Sequence, residues 1–168
     1  MSALLATPKS LKLASKCPSG IPQPSNFKID TATKPLTSSD LIEDQVLVQL
    51  LCLSADPYMR SGLKTNPENS TIGGFVSGKV LSSKNKDWKE NDLFGAWLPF
   101  TTVQIVDLKK TPFGMWNLTD ILTEDTINLG VGVLGMPGST AYGGLIDVLK
   151  PLEGETIFIS AASGAVGS

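Results

Sequence analysis

"TIFISAASGAVGS", Thr156 to Ser168, decides the fold. A β-branched and aromatic run gives way to small residues and two glycines spaced three apart, Gly164 and Gly167. That pattern predicts a strand running into a turn of the kind that opens a nucleotide-binding α/β unit. Ala161 or Ala162 makes the tight turn, although GxGxxG has glycine where Ala162 stands. Gly164 lets backbone approach a pyrophosphate, and Gly167 permits close helix–strand packing. A helix starting there would aim its free N–H groups at the phosphates. The bland alternative is an ordinary strand-to-helix turn. A P-loop is excluded, because no GxxxxGK[ST] is present.

Just upstream, "STAYGGLIDVLK" (Ser139 to Lys150) reads as a helix capped by Ser139 or Thr140. Ala141, Leu145, Val148 and Leu149 share one face of it. Gly143 and Gly144 each cost about 1 kcal/mol relative to alanine, which predicts a neighbour packed close against them. "PLEGE" is then a turn. Helix, turn, strand and glycine loop in that order lead into an α/β unit. "LTDILTEDTINLGVGVLG", before the helix, has apolar residues at helical spacing and then a glycine-rich bend.

The first 110 residues carry a different texture, strands and turns. "SLKLAS" alternates, and "CPSGIPQPSN" is a loop with three prolines. "DQVLVQLLCLSA" (Asp44 to Ala55) is nearly continuously apolar, as a strand buried on both faces or at a barrel wall requires. "GGFVSGKVLSS" and "DLFGAWLPFTTVQIVD" continue the series. Short strands broken by Gly and Pro predict a barrel or sandwich.

Composition excludes several functions. The 168 residues are 41% hydrophobic and 18% charged, with net charge −2, which gives no electrostatic case for nucleic acid or acidic membranes. Arg60 is the only arginine. The absence of histidine excludes His acid–base chemistry, Ser-His or Cys-His pairs and His-ligated metals. Cys17 and Cys52 are too few for a disulfide framework and too distant for CxxC, consistent with a reduced, cytoplasmic compartment. Residues 1–29 hold four lysines and no acid, a faint presequence composition; four prolines and no arginine favour a first strand and loop.

Two further segments can carry chemistry. In "LSADPYMRSG" (Leu53 to Gly62), Asp56 and Pro57 signal a helix start. The local reading has Asp56 capping, Arg60 pairing with it or with solvent, and Tyr58 packing. The functional reading rests on location, a loop leaving a buried strand. "GVLGMPGSTAYGGL" (Gly132 to Leu145) puts a Gly-Met-Pro-Gly turn before a helix, bringing backbone close to something.

"LVQLLCLSADPYMR", "GMPGSTAYGGL" and "ETIFISAASGAVGS", in this order, resemble the zinc-independent branch of the medium-chain dehydrogenase/reductase superfamily, specifically the prostaglandin reductase and alkenal double-bond reductase family. Weaker agreement runs through "PSGIPQPSNFKI", "GGFVSGKV" and "WKENDLFG". The resemblance implies a mixed β and α/β fold: a GroES-like β-barrel over residues 1–128, then the truncated start of a Rossmann NADP-binding domain over 129–168. It makes residues 1–29 mature structure, against the presequence idea. It implies NADPH-dependent hydride transfer to the C=C bond of α,β-unsaturated ketones or aldehydes, or to quinones, with no metal. Carried over by position, Ser163, Gly164, Ala165, Val166 and Gly167 match the pyrophosphate loop. Met136 and Thr140 match the turn approaching the nicotinamide, and Pro57 and Tyr58 the cleft lining. Tyr58 is the candidate catalytic donor to the substrate carbonyl, preferred over Tyr142.

The family's remaining Rossmann strands and its 2′-phosphate-binding basic residue have no counterpart here. A Rossmann domain takes on the order of 100–150 residues and about 40 are present, so the chain alone is expected to bind no dinucleotide and to show no reductase activity. The family dimerises through the missing domain. A zeta-crystallin-like quinone reductase and a non-catalytic GroES-like binding module are the alternative readings.

Overall fold

The computed structural model describes residues 7–168, so the first six residues of the 1–29 segment lie outside the described residues. Strands β1 (Lys9–Leu13) and β2 (Phe27–Thr31) pair antiparallel, with Leu11 opposite Ile29. A second, antiparallel sheet is built from β3 (Gln45–Leu53), β4 (Gly73–Ser83), β5 (Leu93–Pro99), β6 (Val103–Asp107) and β7 (Met115–Asn117). Its spatial order is β6-β3-β4-β5-β7. The predicted strand series is therefore present, with "DLFGAWLPFTTVQIVD" divided between β5 and β6.

The sheets do not close into a barrel among the described residues; β6 and β7 are free edges of the larger one. The small sheet is tied to the large one by single bridges, Ser10 to Thr101 and Lys12 to Thr71. Leu11 N–H donates to the Phe100 carbonyl and Ile72 N–H donates to the Leu11 carbonyl, both at 2.9 Å. These contacts curl the two sheets around one core.

That core follows from strand alternation. Val46 and Val48 on β3, Val76 and Val80 on β4, and Phe94, Ala96 and Leu98 on β5 point inward to meet Leu13. Each large one contributes roughly 1.5–3 kcal/mol by leaving water. β3 is buried on both faces only at Val46–Val48; Leu51 and Leu53 are exposed. Gly95 permits the closest approach on the other face, since a Cβ there would stand 2.2 Å from Trp116 Nε1.

From Glu124 to Leu149 the chain is largely helical, as its spacing predicts. A 3₁₀ segment, Glu124–Val131, is pinned to β4 by the buried Ser77, whose Oγ donates to the Ile127 carbonyl at 2.8 Å. Leu93, Leu118, Leu122 and Ile127 form a satellite cluster beneath it. Helices α1 (Met59–Thr65) and α2 (Met136–Tyr142) carry the remaining regular turns, and α2 continues as a π-helical stretch, Gly143–Leu149.

Three local expectations are corrected. The strand over "TIFISA" is absent: Thr156–Ile159 is irregular, because a parallel strand needs a neighbouring strand and none lies beside it. The predicted apolar face of the second helix is uncovered, with Val148 81% exposed and Leu149 exposed as well. No neighbour packs on the glycine pair either: a Cβ at Gly144 would meet only open space.

Candidate functional site

The site is assembled from the loop after β3, the turn into α2, and the C-terminal segment. Met59 N–H donates to the Asp56 carbonyl and Arg60 N–H to the Pro57 carbonyl, each at 3.1 Å, so Asp56–Arg60 turns directly into α1. The Asp56 side chain does not cap that helix, which corrects the expectation. The backbone carbonyl makes the turn, and the buried Oδ2 has no partner. Nor does Arg60 pair with Asp56. Its guanidinium donates to the carbonyls of Cys17 (2.5 Å) and Gly20 (2.9 Å), fastening the proline-rich loop to α1.

The second element starts earlier than predicted. α2 begins at Met136, preceded by Gly135, and neither Ser139 nor Thr140 caps it. Both are one turn inside: Ser139 Oγ donates to the Gly135 carbonyl (3.0 Å) and Thr140 Oγ1 to the Met136 carbonyl (2.8 Å). Such back-bonding is what a short hydroxyl does in a helix interior. The turn before it is tight, since a Cβ on Gly138 would stand 1.8 Å from the Val133 carbonyl oxygen.

These pieces enclose an open groove of about 860 Å³. Pro57, Met136, Thr140, Gly164, Ala165, Val166 and Gly167 all line it, gathering three sequence motifs into one place. Ser163 is not on its wall. Asp56, Leu145, Leu149, Ile157 and Phe158 also line it and were not among the predicted site residues. The helical spacing of Leu145 and Leu149 was the signal available for two of them. The turn is closed by Gly164 N–H donating to the Ala161 carbonyl at 2.8 Å, with Ala161 at φ +51°. A Cβ on Gly167 would stand 2.6 Å from that same oxygen.

Tyr58 does not line the groove; it lines a second cavity, of about 180 Å³, with Leu13, Met59 and Trp97. It is 40% exposed, and its hydroxyl oxygen accepts from Phe75 N–H at 3.2 Å. Burial raises its pKa above the ordinary 10.0 and the Asp56 carboxylate adds to the rise, opposed by the Phe75 amide and the Trp97 indole. The phenol therefore stays protonated at neutral pH and retains a proton to donate. Tyr142, the other tyrosine, is exposed on α2. Among the described residues no group of three or more Cys, Asp or Glu side chains is placed to hold a metal ion.

Residues 9–112 match the family described as the N-terminal domain of oxidoreductase. Prostaglandin reductase 1 of Sus scrofa is 39% identical over 153 residues, 89% of this chain and 43% of that protein. The NADP(+)-dependent 2-alkenal reductase of Nicotiana tabacum is 36% identical over 156 residues, 88% of this chain and 44% of that protein. Among solved structures, CurA of Vibrio vulnificus in complex with NADPH superposes with a TM-score of 0.73 at 30% identity, over 95% of this chain and 46% of that one. The chain thus spans less than half the length of the relatives it matches. With that match covering most of the sheet structure, the chain belongs to the oxidoreductase family that carries this N-terminal domain, the prostaglandin and alkenal reductase branch of the medium-chain dehydrogenase/reductases.

Proposed function

We propose that the protein is an NADPH-dependent, zinc-independent reductase that saturates the C=C bond of small α,β-unsaturated ketones or aldehydes, or reduces quinones. In this reading residues 1–128 are the substrate-facing domain and 129–168 open the cofactor-binding domain. The complete cytoplasmic protein is a homodimer. The observation that carries the reading is the groove, where Pro57, Met136, Thr140 and Gly164–Gly167 converge from three separated motifs. The names of the relatives, a 2-alkenal reductase and a prostaglandin reductase, support the substrate class.

The groove residues fit the nicotinamide end of the cofactor. Pro57, Met136, Leu145 and Val166 give apolar walls for a flat ring. No lysine or arginine lines the groove, so this segment offers the phosphates only backbone and the hydroxyls of Thr140, Ser160 and Ser168. When bound, the cofactor supplies a hydride to the substrate β-carbon. The substrate's π electrons then move onto its carbonyl oxygen as an enolate, and the α-carbon takes a proton from solvent. Tyr58 acts on that oxygen. Its hydroxyl is oriented by the Phe75 amide and keeps its own proton for the developing negative charge.

The test is loss of NADPH absorbance in the complete gene product with a panel of enones, enals and quinones. Turnover of an enone or quinone is the expected outcome. A folded protein that turns over none of them sinks the reading.

A further inference from the structure

The amide that holds the Tyr58 hydroxyl is a strand donor left without a strand. β3 ends its pairing with β4 where Leu53 lies opposite Val76, and Ser54 N–H then takes the Phe75 carbonyl at 2.9 Å. In an antiparallel ladder the N–H and C=O of one residue bond on the same side, so the Phe75 N–H points past the end of β3. A backbone donor there needs an acceptor. The Tyr58 hydroxyl oxygen supplies it at 3.2 Å, and the two rings meet edge-on, 6.2 Å apart.

Gly74, one residue earlier on β4, leaves the room for this contact. A Cβ there would stand 3.0 Å from Tyr58 Oη and 3.0 Å from Phe100 Cζ. The Gly74 φ lies outside the left-handed region, so no backbone conformation requires glycine. Glycine weakens a strand interior and marks a close approach. The two neighbours differ in how far they can give. Phe100 is 5% exposed and packed in the main core. Tyr58 is 40% exposed and lines a cavity into which it can move. A methyl group at Gly74 would therefore displace the hydroxyl, stretching a bond already at the long end of the usual range.

We infer that Gly74 is a positioning residue for the proposed reduction: by carrying no side chain it lets the Tyr58 hydroxyl seat on the Phe75 amide, which holds the phenol where it donates to the substrate oxygen. The inference rests on the reductase reading above. With the amide donating to the phenol oxygen, the phenol's own proton is left for the substrate. Small misplacements of such a donor are costly to the rate.

Tyr58 and Tyr142 are the only tyrosines of the 168-residue chain. Subtracting the absorbance titration of Tyr58→Phe therefore isolates the Tyr58 phenolate. Gly74→Ala should move its midpoint upward, because the phenolate loses the Phe75 amide and gains an apolar neighbour. In the complete protein the same variant should lower kcat with enones about threefold to tenfold with NADPH affinity kept. In a Tyr58→Phe background it should lower kcat no further, since no hydroxyl remains to displace. Its melting temperature should fall in both backgrounds, because the Phe100 contact stays, so fold and positioning are read separately. Should Gly74→Ala not fold, Phe100→Leu makes room on the core side, and the double variant is compared with Phe100→Leu alone. An unmoved midpoint overturns the inference, as does an equal kcat loss in the Tyr58→Phe background. A moved midpoint with kcat unchanged also overturns it while leaving the reductase reading intact. No turnover of any enone or quinone by the wild type counts against that reading instead, and the titration still decides the seat of Tyr58.

Discussion

At the residue scale the most informative side chain is Tyr58. Tyr58→Phe in the complete protein removes the proposed oxyanion donor, so kcat with enones should fall by about 10²-fold with NADPH affinity kept. It also removes the acceptor of the Phe75 amide, so a stability loss of about 1 kcal/mol should accompany it. Unchanged kcat would return Tyr58 to packing. The pH dependence has a definite sign. Tyr58's pKa is raised on folding, so its contribution to stability is complete below pH 10.0 and is lost as pH rises through the folded value. No transition assignable to Tyr58 should appear in stability or rate between pH 6 and 9, as judged against Tyr58→Phe. The acid side runs oppositely. Asp30, held low by Lys12, and Asp44, held low by Lys109 and Asn85, stabilise the fold above pH 3.8, and that is lost as pH falls through their folded values. Asp44→Asn should shrink the acid-induced drop in melting temperature. The predicted roles at this scale were partly legible. "DPY" marked the turn into α1, but nothing in its spacing said that Pro57 and Tyr58 would line different cavities.

At the element scale, two glycines predict opposite outcomes from the same substitution. Gly95→Ala would drive a Cβ into the Trp116 indole at 2.2 Å, between β5 and β7. Overpacking of that kind costs roughly 1–3 kcal/mol. Gly144→Ala, in the π-helical stretch with nothing within 4 Å, should stabilise the chain by about 0.5–1 kcal/mol. Thermal melting of both variants checks the pair, and a stable Gly95→Ala would mean that β7 separates readily from β5. Ser77→Ala should cost about 1–3 kcal/mol, since it orphans the Ile127 carbonyl that anchors the 3₁₀ segment to β4. The helix over Ser139–Lys150 was legible from its 3.6-residue period. Its true start at Met136 was not, because Ser139 and Thr140 are favoured both as caps and as back-bonding interior residues.

At the scale of the whole molecule, the described residues divide into a well-packed sheet core and a thinly supported C-terminal stretch. Ile157, Phe158 and Ile159 are exposed, no strand lies beside them, and no basic side chain lines the groove. The 168-residue chain should therefore leave NADPH fluorescence unchanged on titration; saturable enhancement would show that the groove binds without further support. The sequence by itself determined the strand series and its core, because inward and outward positions alternate along each strand and only one register buries Val46, Val48, Val76 and Val80 together. It also determined the family, through three short motifs whose residue types are constrained locally by turns and close backbone approach. The tertiary structure alone decided that the sheets curl without closing, that "TIFISA" remains irregular, and that Tyr58 meets Phe75 edge-on. Each of these depends on partners distant in sequence: a neighbouring strand to pair with, or a ring to pack against. Local propensity fixes what a segment is able to form, and the presence of a partner fixes whether it forms.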